Sequence, residues 1–194
     1  MLAQGSLPGF DLDIPTDRLF LAIFPDSAYA TRLEAFAAKH LVARRMDGKP
    51  VDASRLHLTL FHLGDYTELP PGRVDQAVEA LFHLKAQAFT ICFDQIGSFS
   101  HRHGHGDFVL AAGDGNEALH ALRRQLAAHL NAAALSQYAK SSFTPHMTLA
   151  YNRPTVPFQS IEPVVWPAHE VVLIHSLLGK KRHVRLADMP LHGR

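Results

Sequence analysis

Two segments of the chain share the order histidine, apolar residue, threonine, leucine: HLTL at residues 57–60 and HMTL at residues 146–149. In an extended strand successive side chains point to opposite faces, so the histidine and threonine of each copy share one face while the apolar residues share the other. Each copy therefore predicts a half-buried strand. Because both copies occupy comparable places in a repeated strand and helix arrangement, they indicate two pseudo-twofold lobes that face a common cleft.

The rest of the chain predicts an interleaved α+β pattern with hairpins. Helices are expected over residues 29–41, from Pro70-Pro71 to residue 82, and after Asn116, where leucines recur at helical spacing. Strands are expected over residues 18–24, 56–63, 89–99, 108–112, 143–151, 171–178 and 184–189. No Gly-x-Gly-x-x-Gly or Walker-type phosphate loop is present, which disfavours a Rossmann fold. We expect a single domain over residues 1–194, with an irregular extension over residues 1–16.

Composition limits the possible partners. Lys and Arg number 19 against 18 acidic residues, a formal net charge of +1, so any contact with nucleic acid should be local. The single cysteine, Cys92, forms no internal disulfide, and no leader-like segment or membrane-spanning apolar run is present. These features predict a cytoplasmic monomer without a membrane association, and they identify no protein partner.

The repeated motif contains the groups that phosphoester cleavage requires. One group must take a proton from the attacking water and another must give a proton to the leaving oxygen, and histidine can do either near neutral pH. His57 and His146 are therefore the candidate catalytic pair. The hydroxyls of Thr59 and Thr148, on the same faces, can donate hydrogen bonds to the non-bridging phosphate oxygens. This chemistry requires no metal and no cofactor.

Residues 18–23, 56–64 and 143–150 resemble the successive signatures of the 2H phosphoesterase superfamily. Within that superfamily the chain is most similar to the 2′-5′ RNA ligase family, also described as RNA 2′,3′-cyclic phosphodiesterases, and the resemblance runs from about residue 17 to residue 189. It implies a bilobal α+β fold in which two antiparallel sheets with flanking helices surround a central cleft in pseudo-twofold arrangement.

The resemblance also implies an activity: hydrolysis of a 2′,3′-cyclic phosphate, in RNA ends or small cyclic nucleotides, to a 2′-phosphomonoester, with reversible 2′-5′ RNA ligation as a related reaction. It suggests His57 as the acid at the O3′ leaving group and His146 as the base, although nothing in the sequence separates the two histidines. Phe61 and Phe143 lie near the motifs, where an aromatic ring can stack on a base.

The chain departs from the family pattern beside the second motif. Many members have an Arg-Pro pair before this motif and an arginine after it, whereas this chain has Ser141-Ser142 and Tyr151. Lys140 and Arg153 are nearby cations that can compensate. The departures weaken the expectation of an RNA substrate more than the expectation of phosphoester chemistry.

Two other functions remain open from the sequence. A non-catalytic RNA or nucleotide-binding module would use the same cleft without turnover. A metal-dependent hydrolase would use surplus histidines, because the chain contains 14, and His101, His103 and His105 alternate along one segment. Further basic residues that can contact a phosphate backbone are Arg44, Arg45, Lys180, Lys181 and Arg182.

Overall fold

The computed structural model describes residues 14–100, 104–113, 115–140 and 142–192. Their regular elements, in chain order, are β1 Asp17–Ile23, α1 Ser27–Ala43, a 3-10 helix Ala53–Arg55, β2 Leu58–Tyr66, α2 Pro71–Phe82, β3 Phe89–Ser100, β4 His105–Ala111, α3 Glu117–Ala132, α4 Ser136–Ala139, β5 His146–Pro154, β6 Gln159–Ala168, β7 Glu170–Leu177 and β8 Arg182–Pro190.

The strands form one sheet in the order β6-β3-β4-β5-β2-β1-β7-β8, and every neighbouring pair is antiparallel. The α+β class is confirmed. In place of the two expected sheets the structure has this single sheet, and its motif strands are joined by one residue pair, Leu58 of β2 with Met147 of β5. The two halves of the sheet have the same order of elements. In each half a strand, a helix and a motif strand follow in sequence: β1, α1 and β2, then β4, α3 and β5.

The helices cover one face of the sheet. Asp26 begins α1, since its side chain accepts a hydrogen bond from the Tyr29 amide at 2.9 Å. Helix α3 buries the leucine stripe that its spacing predicts, Leu119, Leu122, Leu126 and Leu130. Together with the apolar faces of the strands these helices form a single hydrophobic cluster that contains residues from both halves.

Strand β6 was not predicted. Its sequence, QSIEPVVWPA, contains Pro163 and Pro167, which lack the amide hydrogen needed for a ladder hydrogen bond and therefore argue against a strand. The fold accepts them because β6 is at the edge of the sheet. Trp166 of this strand is 1% exposed and packs into the core.

Of the predicted extension, residues 14–16 have no regular secondary structure, and residues 1–13 lie outside the described part of the chain. Within the described ranges, no helix combines the length and apolar character that crossing a bilayer requires.

The junction between the halves yields a stability prediction. Leu58 is fully buried at the pair that joins them, so Leu58→Ala should leave a cavity and lower the free energy of unfolding by about 2–5 kcal/mol. Urea denaturation followed by circular dichroism measures this. Val42→Ala is the control, because Val42 is 78% exposed and should change stability by less than about 0.5 kcal/mol. A loss below about 1 kcal/mol for Leu58→Ala would contradict a junction packed in this way.

Candidate active site

The face of the sheet opposite the helices contains a cleft of about 450 Å³ where β2 meets β5. Four side chains predicted from the repeated motif line it together: His57, Thr59, His146 and Thr148.

The strand register fixes how these four groups face one another. Leu58 pairs with Met147 in an antiparallel ladder, so the histidine of each motif lies across from the threonine of the other. The two histidines occupy one diagonal of this arrangement and the two threonines occupy the other. Diagonal neighbours in an antiparallel pair lie about 7–8 Å apart, a separation that allows one phosphate group to lie between the imidazoles.

A β-bulge in β2 changes which side chains after the motif reach the cleft. The neighbouring strand β1 advances one residue while β2 advances two, from Thr59 to Phe61, so Leu60 is an extra residue. The alternation of faces reverses at this point. His62 therefore lies on the cleft face, which it lines, and Phe61 points into the core.

The second motif strand carries the same bulge at the equivalent position. Strand β4 advances one residue while β5 advances two, from Thr148 to Ala150, so Leu149 is the extra residue. Ala150 is buried and Tyr151 reaches the cleft. Tyr151 is thus the twofold counterpart of His62, five residues after the motif histidine in each copy.

The carbonyl groups of both bulge residues have hydrogen-bond donors. Leu60 accepts from the Nε of Arg123 at 3.2 Å, and Leu149 accepts from the amide of Val51 at 2.7 Å. These contacts satisfy backbone groups that the bulge removes from the ladder, and they hold both motif strands in place.

Phe61 and Phe143, the two rings predicted to stack on a base, are not among the residues that line the cleft. Phe61 is 1% exposed, and the guanidinium carbon of Arg123 lies 4.4 Å from its ring centroid and 4.5 Å from that of Phe143. Phe143 also contacts His120 edge to face at 5.7 Å. Neither ring lines the cleft, because the bulge turns Phe61 toward the core and Phe143 precedes β5 on the helix side.

Both motif histidines are oriented by the same backbone contact. The Nδ1 atom of His57 lies 2.6 Å from the carbonyl oxygen of Arg55, and that of His146 lies 2.7 Å from the carbonyl oxygen of Thr144. A carbonyl only accepts, so Nδ1 carries the hydrogen in each ring and Nε2 is the atom that can exchange a proton.

The surroundings of His57 are aromatic. Phe20 and Phe24 stack on its ring at 4.9 and 5.3 Å between centroids, and His183 of β8 meets it edge to face at 5.3 Å. The pKa of His57 is lowered to about 4, and burial of the ring is the main cause. The Nδ1 hydrogen bond opposes this shift, and the charges of Arg55 and His146 add to it. Burial likewise lowers the pKa of His183 to about 4. Both rings are therefore neutral in the free protein at pH 7.

The end of the cleft beside His62 is held by an ion pair. Arg18 donates from Nε and Nη2 to the two carboxylate oxygens of Asp65, each at 2.7 Å, and the Nε2 of His62 lies 2.8 Å from the same carboxylate. The hydrogen bond from Arg18 is the main reason why the pKa of Asp65 falls to about 2.

Sequence reasoning missed several residues of the cleft: Arg18, Arg55, His62, Asp107 and His183. Arg55 precedes the first motif in the 3-10 helix, and His183 comes from the far end of the chain. No local pattern marks them. His62 follows from the motif only when the bulge is known, because a regular alternation places it on the core face.

The other predicted contacts lie away from the cleft or outside the described residues. His101, His103 and Ser141 are not described, and within the described ranges no group of three or more His, Cys, Asp or Glu side chains is placed to hold a metal ion. The Nη1 atom of Arg44 lies 2.7 Å from the Nδ1 atom of His40. Lys140 directly follows α4 and is not among the residues that line the cleft.

The amino-acid sequence matches a known protein family. The sequence profile of the 2′-5′ RNA ligase superfamily matches residues 24–179. No functionally curated protein matches the chain by sequence.

Three solved structures illustrate the similarity of fold. The protein TT0787 of Thermus thermophilus is 24% identical, with a TM-score of 0.72 over 91% of this chain and 99% of its own. A structure described as a phosphoesterase is 26% identical, with a TM-score of 0.68 over 91% and 99%. Escherichia coli LigT complexed with 3′-AMP is 25% identical, with a TM-score of 0.69 over 91% and 98%. With its paired motifs meeting in one cleft and a family match over most of its length, the chain belongs to the 2′-5′ RNA ligase superfamily.

Proposed function

We propose that this protein hydrolyses 2′,3′-cyclic phosphates, in RNA ends or small nucleotides, to 2′-phosphomonoesters without a metal ion. The observation that carries the proposal is the diagonal pair of histidines, each with Nδ1 bound to a carbonyl and Nε2 left to exchange a proton across one phosphate-sized space. LigT, a protein of similar fold, has been solved in complex with 3′-AMP, which supports a nucleotide as the ligand.

In the proposed reaction a water molecule attacks phosphorus in line with the bond to O3′. His146 Nε2 takes a proton from that water, and His57 Nε2 gives a proton to O3′ as its bond to phosphorus breaks. The products are a free 3′-hydroxyl and a 2′-phosphomonoester. Thr59 and Thr148 donate hydrogen bonds to the non-bridging oxygens, where negative charge accumulates in the transition state.

The acid role of His57 depends on the bound substrate. In the free protein the pKa of His57 is about 4, so its ring is neutral at pH 7 and cannot give a proton. A phosphate anion placed beside it favours the protonated form and raises the pKa. The proposed acid is therefore charged by substrate binding.

The same groups support ligation. When the 5′-hydroxyl of a second RNA replaces water as the attacking group, His146 takes the hydroxyl proton and the O3′ bond breaks as before. The product is a 2′-5′ phosphodiester. By microscopic reversibility, the reverse reaction exchanges the acid and base roles of the two histidines.

Removing either histidine tests whether the cleft is catalytic. His57→Ala and His146→Ala should each lower kcat for a nucleoside 2′,3′-cyclic phosphate at least ~10²-fold in EDTA, because each removes a proton-transfer group. His169→Ala is the control, since His169 is exposed outside the cleft. Saturable binding by the wild type without product would instead favour a nucleotide-binding module, and loss of turnover in EDTA would favour a metal-dependent hydrolase.

A substrate with a better leaving group separates the acid from the base. 4-Nitrophenolate departs without protonation, so a nucleoside 4-nitrophenyl phosphodiester needs only the base. We expect His57→Ala to regain most of the lost rate on this substrate and His146→Ala to remain slow. Rates of nitrophenolate release measure both variants. The opposite pattern would reverse the assignment of the two histidines.

The environment of His57 predicts the pH dependence. Turnover requires one protonated and one neutral histidine, and the more acidic of the two sets the acidic limb of kcat/KM. Because the pKa of His57 is about 4, that limb should have its midpoint near pH 4 and activity should persist at pH 5. In Arg55→Gln the limb should move to higher pH, since the Arg55 charge lowers this pKa. A wild-type midpoint near 6.5, with circular dichroism showing a folded protein, would contradict the prediction.

A further inference from the structure

A second recess of about 710 Å³ adjoins the catalytic cleft. Arg55 and Tyr151 line both spaces, so the recess continues from the cleft beyond the second motif strand. Its other lining residues come from α1, the connection after it, β5 and the turn between β7 and β8: Glu34, Lys49, Pro50, Val51, Asp52, Arg153 and Lys181.

The recess is positively charged in a protein whose formal net charge is only +1. It is lined by four cations, Lys49, Arg55, Arg153 and Lys181, against the two carboxylates Glu34 and Asp52. No ion pair between these cations and a carboxylate occurs among the described residues.

Both carboxylates of the recess are engaged with the 3-10 helix. Glu34 accepts a hydrogen bond from the Ala53 amide at 3.3 Å. Asp52 accepts from the Ser54 amide at 2.9 Å and from the Ser54 hydroxyl, and the hydroxyl contact is the main cause of its lowered pKa. The surplus positive charge therefore remains available to an anion.

Backbone contacts hold the cationic wall in place. The Val51 amide donates to the carbonyl of the bulge residue Leu149 at 2.7 Å, which fixes the loop that carries Lys49 against β5. Arg153 donates from Nη2 to the Lys49 carbonyl at 3.5 Å. Gly48 makes room for Arg153: its φ is +98°, and a Cβ there would collide with Nη2 of Arg153.

Two buried guanidinium hydrogens in this region lack acceptors. The Nε atoms of Arg55 and Arg153 are both buried without a hydrogen-bond partner in the described structure. A buried donor on a charged group is costly to leave unpaired, and phosphate oxygens are matched to guanidinium donors in geometry and charge. Arg55 and Arg153, which both line the recess, therefore have unpaired donors for the oxygens of an oxyanion.

We propose that this recess binds a second phosphate of the substrate, attached to O5′ of the nucleoside that carries the cyclic phosphate. The proposal rests on the proposed function, because it assumes that the scissile phosphate lies between His57 and His146. An internucleotide phosphodiester and a 5′-phosphate monoester share this chemistry. The substrate class is then a cyclic-ended oligonucleotide or a 5′-phosphorylated cyclic nucleotide, rather than a nucleoside cyclic phosphate alone.

Lys181 provides a variant that separates binding from folding. Its φ is +52°, a left-handed conformation that is strained for most residues with a Cβ, whereas asparagine adopts it more readily. Lys181→Asn should therefore fold at least as stably as the wild type while losing one cation of the recess. Arg153→Gln removes a second cation, and Lys39→Gln is the matched control, because Lys39 is exposed on α1 outside the recess.

The test compares kcat/KM for three substrates: a nucleoside 2′,3′-cyclic phosphate, its 5′-phosphorylated form and a dinucleotide ending in the cyclic phosphate. In the wild type the second phosphate should raise kcat/KM about tenfold or more, the range of a charge-assisted hydrogen bond. Lys181→Asn and Arg153→Gln should each remove most of that gain, and Lys39→Gln should keep it. The substrate with the larger loss in the variants identifies whether the monoester or the diester is the preferred ligand.

Calorimetric binding of a nucleoside 2′-phosphate and a nucleoside 2′,5′-bisphosphate separates this proposal from the proposed function. One outcome is that the wild type turns over none of the three substrates but binds the bisphosphate about tenfold more tightly than the 2′-phosphate, and that the two variants lose this preference. The proposed reaction is then wrong, and the recess is still a phosphate-binding site. If the second phosphate raises neither kcat/KM nor affinity, or if the gain survives in both variants, the recess does not bind phosphate.

Discussion

The antiparallel pairing of Leu58 with Met147 is the contact on which the site depends. It is the one residue pair that joins the two motif strands, β2 and β5, in the described structure, and its register sets each histidine across from the threonine of the other motif. A slip by one residue would turn one motif toward the core. The approximate twofold relation between the halves therefore has its axis near this pair, and the phosphate-sized space lies on that axis.

The paired bulges extend this symmetry beyond the motifs. Leu60 and Leu149 are both extra residues, three positions after their histidines, and both have carbonyl groups held by donors from elsewhere in the fold. The side chains that the bulges bring to the cleft differ, however: His62 in one half and Tyr151 in the other. The cleft can thus differ between the halves beyond the motifs, while the two motif histidines keep their geometry.

Symmetry is also broken around the reacting groups. His57 is enclosed by Phe20, Phe24 and His183, and burial keeps its pKa near 4. His146 meets the ring of Phe99 edge to face at 5.0 Å. Two histidines with the same hydrogen bond at Nδ1 therefore have different surroundings, and this difference is the physical ground for the different roles in proton transfer that we propose for them.

The sequence by itself determined the α+β class, most of the helices and strands, and the four motif side chains that line the cleft, because periodicity and the repeated motif are local properties. It did not reveal strand β6, whose prolines are acceptable only at a sheet edge, nor the placement of Phe61, which depends on a bulge defined by pairing with β1. Arg55 and His183 also reach the cleft only through tertiary structure. Strand order, register and burial arise from contacts between distant segments, and these contacts alone decided the lining of the cleft and the lowered pKa of His57 and His183.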